Sequence, residues 1–180
     1  MRLALFGKSG VGKDFITQKI IESRPQYTRL SFSDSLKDLT LKCFSWMDNK
    51  YNTPELKEVP LNLKTSQGEI ITDTPREIWL KMNFLRNIEN KIFIRILDEK
   101  FISLKDKDNV IISDVRTKEE LFYCLENKFK IIKVVNENPF HKSNFFDLQQ
   151  DDSYFSENID LTFINDMNSE FDIENFFKVI

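Results

Sequence analysis

Apolar positions along this 180-residue chain follow two rhythms. Short continuous runs such as Leu3-Ala4-Leu5-Phe6 read as strands buried on both faces, and stretches with apolar residues three or four apart read as helices. After the first run, Ile16, Ile20 and Ile21 recur at helical spacing with Gln18, Lys19 and Glu22 turned outward. Tyr27 to Phe32 alternates as a strand would. Ser33 to Met47 then predicts a helix with Ser33 as its N-cap and Leu36, Leu39, Cys43 and Met47 on one stripe. From Asp48 to Asp73 the pattern fades around Pro54, Pro60 and Gly68, which predicts an irregular excursion over the rim of a sheet. Long excursions of this kind tend to serve binding.

Order returns at Thr74-Pro75-Arg76-Glu77, which has an N-cap residue, a proline at the first helical position and an acid three residues after the cap. The helix it starts carries Ile78, Trp79, Met82 and Leu85. A further helix is predicted over Ile92 to Leu104, a strand over Asn109 to Ser113, a helix over Thr117 to Glu126 and a strand over Lys130 to Val135. Residues 136–158 are polar and are expected to be mobile. Asp160 to Ile164 predicts a last strand and Ser169 to Val179 a closing helix. Strands separated by helical stretches point to the α/β class, with a parallel sheet covered on both faces and ligands at the carboxyl ends of its strands.

One of those strand ends carries most of the chain's glycine. The sequence holds only four glycines, and Gly7, Gly10 and Gly12 fall within six residues, directly after the first strand and before the first helix. Their spacing, with Lys13, is G-x-x-x-x-G-K, the pattern of a loop whose backbone N–H groups cradle phosphates. Strand, glycine loop and helix in that order aim free amides and the positive helix end at one point. Lys8, Ser9, Gly10, Val11, Gly12, Lys13 and Asp14 are the candidate nucleotide-binding residues, with Lys13 reaching the β- and γ-phosphates. The alternative is a plain strand-to-helix turn. Asp14 stands where a hydroxyl is usual.

Composition narrows the partners. The length suits one domain, and hydrophobic residues at 41% with charged residues at 31% describe a globular chain with no apolar run long enough to cross a membrane. The N-terminus runs straight into the first strand, so no removable leader is expected. A net charge of −3 argues against a general affinity for nucleic acid and for a small-molecule nucleotide. Cys43 and Cys124 are read as reduced core residues in a cytoplasmic setting, and no metal-ligand spacing is seen.

Taken in order, "GKSGVGKD" at 7–14, "FSDSLKD" at 32–38, "TPRE" at 74–77, "SDVR" at 113–116, "HKS" at 141–143 and "IDLTFIND" before the last helix resemble the bacteriophage-type deoxynucleoside monophosphate kinases of the P-loop kinase superfamily. The resemblance runs nearly end to end, and an acid after the loop lysine is a trait of that family. Departures are a shorter stretch around 48–73, Met82-Asn83 in place of a Leu-Gly pair and Asn144 in place of an acid. The resemblance implies a single three-layer domain with a five-stranded parallel sheet in the order 2-3-1-4-5. It also implies transfer of the γ-phosphoryl group of ATP, with Mg²⁺, to a deoxynucleoside monophosphate. In a viral setting the location would be the host cytoplasm. A second copy of the chain, in a homodimer, is the one macromolecular partner kept open.

Phosphoryl transfer asks a protein mainly to position two nucleotides and to neutralise charge on the moving group. Lys13, Arg116 and Asp114 are the candidate catalytic residues, and Lys37, Arg76, Arg86 and Arg116 the candidate acceptor-binding residues. Arg116 stands just after a buried strand, where residues of open sheets line ligand crevices. Arg76 could equally serve a surface ion pair, with Asp73 for instance, and Lys37 could simply be solvated. Asp14 and Asp114 are the candidate Mg²⁺ residues. For Asp114 the alternatives are an arginine partner or a cap for the helix at Thr117. His141 is read as a loop contact to phosphate or solvent, and Asn165 to Asn168 as a border of the adenine by fold analogy. A kinase for another small phosphorylated acceptor, dephospho-coenzyme A or phosphomevalonate, and a nucleotide-binding regulator without transfer remain the competing readings.

Overall fold

Leu3, Ala4, Leu5 and Phe6 form β1 (Leu3–Phe6), and all four are fully buried. In the computed structural model, which describes residues 1–180 apart from 45, 48, 54, 65, 137–152 and 166–170, β1 is the middle strand of a five-stranded, all-parallel sheet. The other elements in chain order are α1 (Lys13–Ser23), β2 (Thr28–Leu30), α2 (Phe32–Cys43), a 3₁₀ turn (Asn49–Asn52), β3 (Leu63–Lys64), β4 (Ile70–Ile71), α3 (Pro75–Met82) and α4 (Leu85–Ile88). They continue with α5 (Ile92–Ser103), β5 (Val110–Val115), α6 (Lys118–Glu126), β6 (Lys130–Val135), α7 (Ser153–Glu157), β7 (Leu161–Ile164) and α8 (Ile173–Val179).

The chain divides into two compact units, Met1–Phe32 with Ile94–Ile180, and Ser33–Phe93. The first contains the sheet, ordered β2-β5-β1-β6-β7; counted among themselves in chain order, its five strands read 2-3-1-4-5. Successive side chains of β1 point to opposite faces of the sheet and so reach into both layers. Ala4 and Phe6 join Ile112 and Ile131 in one core with Leu97 and Phe101 of α5 and Leu121 and Cys124 of α6. Leu3 and Leu5 join Ile111, Ile132 and Val134 in the other, with Ile16 and Ile20 of α1 and Phe176 of α8. Strands covered on both faces need continuous apolar runs, which is why β1 and the Val110-Ile111-Ile112 start of β5 lack alternation.

The ladder is regular until it nears the glycine loop. β1 and β5 pair Ala4 with Ile112 and then Phe6 with Val115, so β5 advances three residues while β1 advances two. Such an extra residue bends a strand and re-aims its side chains. Here it falls at Ser113-Asp114.

In the second unit, α3 starts as its sequence predicts: the Thr74 hydroxyl accepts from the Glu77 amide at 3.2 Å, and the Glu77 carboxylate accepts from the Thr74 amide at 2.7 Å. The stretch predicted to be irregular carries the 3₁₀ turn and the antiparallel pair β3-β4. Two sequence expectations are corrected. α2 begins at Phe32 and not after a Ser33 cap, and it ends at Cys43, so Met47 is buried outside the helix and Cys43 is exposed. Burial along α2 fades beyond Thr40, which leaves the last turn in water. Among the described residues no helix is long and apolar enough to cross a membrane.

Candidate functional site

The glycine loop joins the end of β1 to α1, and its first and last glycines are required by different physics. Gly7 has φ +146°, and a Cβ there would lie 2.2 Å from the Val134 carbonyl oxygen of β6. The loop thus leaves β1 pressed against the neighbouring strand, where no side chain fits. Gly12 sits just before α1 with φ 94° and ψ 16°, the left-handed conformation that glycine adopts at no steric cost. It brings no side-chain cap to the helix start. A first turn left without a capping side chain offers its amides and the positive helix end to an anion.

Lys13 is the first residue of α1 and is buried. Its side chain folds back across the loop, and the Nζ ammonium donates to the Gly7 carbonyl at 2.6 Å and to the Lys8 carbonyl at 2.8 Å. Two charge-assisted bonds fix the cation beside the loop's own backbone. Asn165, which directly follows β7, also touches the loop: its side-chain amide donates to the Val11 carbonyl at 2.9 Å. Asp14 points outward, with a carboxylate 87% exposed and Arg29 Nη2 4.0 Å away. A pair that exposed holds little energy.

At the end of β5, the two candidate residues behave differently. Asp114 is buried, accepting from the Ser31 hydroxyl at 2.8 Å and from the Phe32 amide at 2.9 Å. It therefore caps the start of α2 from a separate strand. The helix at Thr117 has its own capping box, in which the Glu120 carboxylate accepts from the amides of Arg116 and Thr117 at 2.8 and 3.1 Å. Burial raises the Cys124 thiol well above its ordinary range, and the charges of Glu120 and Asp114 add to the effect. Arg116 is half-buried, and its guanidinium has no hydrogen-bond or ion-pair partner among the described residues.

Lys37, Arg76 and Arg86 belong to the second unit. Lys37 lies 3.8 Å from Asp34 and over the Trp79 ring, Arg76 pairs with Glu58 at 2.6 Å, and Arg86 stacks on Phe93 at 4.8 Å. Asp73, the surface partner considered for Arg76, is bound by Lys81 at 2.6 Å. His141 and Asp166 to Asn168 lie outside the described residues. Among the described residues no group of three or more His, Cys, Asp and Glu side chains is arranged to hold a metal ion. Reading the sequence missed the contact of Asn165 with the loop and that of Ser31 with Asp114. A polar residue at the end of a strand next to the loop was the only signal for the first.

No family model matches the sequence, and no curated protein matches it. Among solved structures, TT1252 from Thermus thermophilus aligns with a TM-score of 0.54 at 12% identity, over 98% of this chain and 93% of that one. A sugar kinase from Janibacter sp. HTCC2649 aligns over 93% of this chain and 86% of that one, also at 12% identity, with a TM-score of 0.34 that is too loose to carry an argument. The first likeness shows a shared α/β fold and nothing finer.

Proposed function

We propose that this chain is a phosphotransferase that moves the γ-phosphoryl group of ATP to a deoxynucleoside monophosphate, releasing ADP and the diphosphate. The observation that carries the reading is the loop itself. An uncapped helix start and a buried lysine, tied to the Gly7 and Lys8 carbonyls, converge at the carboxyl end of the central strand. In the reaction, an oxygen of the acceptor phosphate forms a bond to the γ-phosphorus as the bond from that phosphorus to the β–γ bridging oxygen breaks. Backbone amides of Ser9 through Asp14 hold the donor phosphates, and Lys13 stabilises charge on the group in flight.

The guanidinium of Arg116 is the cation available at the end of β5, and its planar fork can grip two phosphate oxygens. Lys37, Arg76 and Arg86 are assigned to the acceptor through the family resemblance. The Arg76–Glu58 pair is exposed on both sides, so a phosphate could replace the carboxylate at small cost. Of the two acids, Asp14 fits Mg²⁺ better: its carboxylate faces water, whereas Asp114 spends both oxygens on Ser31 and Phe32. Bound there, the ion would supply neutralisation of phosphate charge.

A panel of acceptors with γ-labelled ATP tests the reading. Label should move to at least one deoxynucleoside monophosphate, and ADP should form only when that acceptor is present. Turnover of dephospho-coenzyme A or phosphomevalonate but of no deoxynucleotide would leave a kinase with another substrate, and ADP formation indifferent to every acceptor would remove the assignment.

A further inference from the structure

Asn165 follows the edge strand β7, and its own amide closes onto the Val135 carbonyl at 2.8 Å, so its backbone is held in register with β6. The residue is buried, 7% exposed. From that fixed base the side-chain Nδ2 donates to the carbonyl of Val11, 154 residues earlier in the chain. A carbonyl oxygen can only accept, so the atom facing Val11 must be the amide nitrogen and not the amide oxygen.

Peptide geometry gives this bond a consequence. In a trans peptide the C=O of one residue and the N–H of the next point in opposite directions, and the plane between them is rigid. No cis peptide is present among the described residues, so the plane joining Val11 to Gly12 has one orientation once its carbonyl is tied to Asn165. The Gly12 N–H is then turned away from Asn165. Gly12 is the residue most in need of such a restraint, because its left-handed conformation, φ 94° and ψ 16°, is only one of several that glycine visits freely. At the loop's other end, the clash a Cβ would make with Val134 shows that Gly7 is set against β6. Both ends of the loop are thereby fixed to the same side of the sheet, the first by steric contact and the last by a hydrogen bond.

We infer that Asn165 is a positioning residue of the phosphate loop, which presets the Val11–Gly12 peptide so that the Gly12 amide faces the bound phosphates. The inference rests on the reading of residues 7–14 as a phosphate-binding loop. It differs from a contact of Asn165 with the nucleoside in what it predicts: a preset amide serves the phosphate chain alone, whatever base is attached.

Binding of Mg²⁺-ATP and of Mg²⁺-tripolyphosphate is therefore compared by calorimetry in the wild-type chain, Asn165→Ala and Asn165→Asp. Asn165→Ala should weaken both ligands by a similar factor, about tenfold for one lost positioning hydrogen bond. Asn165→Asp should be worse still, because it turns an acceptor toward the Val11 carbonyl. A loss for ATP with unchanged tripolyphosphate affinity would assign Asn165 to the nucleoside and overturn the inference, as would wild-type affinity for both ligands in Asn165→Ala. If the wild-type chain binds neither ligand, the phosphate-loop reading itself fails and the inference falls with it. Should the variants not fold, the wild-type chain decides by NMR: the Asn165 side-chain amide and the Gly12 N–H should shift together as tripolyphosphate is added, and resonances that stay still would overturn the assignment.

Discussion

Arg116 and Asp14 show how differently two charged residues can stand beside one loop. The Arg116 guanidinium is half-buried yet has no partner among the described residues, and desolvating an arginine without pairing it is uneconomical unless a ligand completes it. Arg116→Ala should therefore raise the KM for the monophosphate and slow transfer by about tenfold or more while ATP affinity changes little, and Arg116→Lys should restore only part of this, since lysine lacks the fork. Steady-state kinetics with each substrate varied in turn checks it; collapse of ATP binding alone would place Arg116 on the donor side. Asp14 should act through the metal. A carboxylate about 4 Å from a phosphate charge would be repelled by roughly 4 kcal/mol at an effective dielectric near 20, unless a cation stands between them. Asp14→Asn should raise the Mg²⁺ concentration for half-maximal activity several-fold, and Asp14→Ser should keep part of the activity. An unchanged Mg²⁺ dependence with only a lower melting temperature would make Asp14 a helix-start residue. The glycines were legible in the sequence from their spacing, and Lys13 because both of its carbonyl partners lie within six residues of it. The partners that hold Val11 and Asp114 were not, because they lie 154 and 83 residues away.

Among the elements, the two helices that open with a capping box start where the sequence predicts. α3 and α6 each close a capping box within three residues, and their starts at Pro75 and Lys118 follow Thr74 and Thr117 as expected. α2 starts earlier than Ser33 because its cap is Asp114, a residue of β5 that no local pattern connects to it. The bulge at Ser113-Asp114 belongs to the same class of feature: it exists only in the pairing with β1. This gives Asp114 a testable structural load. Asp114→Ala would leave the buried Phe32 amide and Ser31 hydroxyl without a charged acceptor, and the chain should lose about 3 kcal/mol in urea unfolding. The loss should be the same with Mg²⁺ or with a chelator. A variant as stable as wild type but needing more Mg²⁺ would return Asp114 to the metal.

At the scale of the whole molecule, the parallel sheet covered on both faces was readable from its continuous apolar runs, whereas the strand order was an implication of the family resemblance and not of the pattern. The sheet's burial has a chemical consequence in the core with Cys124 and Tyr123. Burial raises both groups' pKa, and for Tyr123 the hydrogen bond to Asp98 at 2.8 Å adds to the rise. An acid raised on folding leaves stability intact below its unfolded pKa and removes it above. The unfolded thiol and phenol ionise near 9.0 and 10.0. Stability should therefore be level for these groups at neutral pH and fall beyond about pH 9, by roughly 1.4 kcal/mol per pH unit for each group. Urea midpoints from pH 7 to 10.5 check this, and Cys124→Ala should flatten the first part of the fall. An identical slope in that variant would rule out the thiol. The central claim concerns the loop, and one comparison tests it most directly: transfer of label from γ-labelled ATP to a deoxynucleoside monophosphate by wild type and by Lys13→Ala, both shown to be folded. Removing a preorganised cation from the transferring group forfeits about 3 kcal/mol, so the variant should transfer label at least about a hundredfold more slowly. A folded Lys13→Ala chain that transfers label at the wild-type rate would contradict the account.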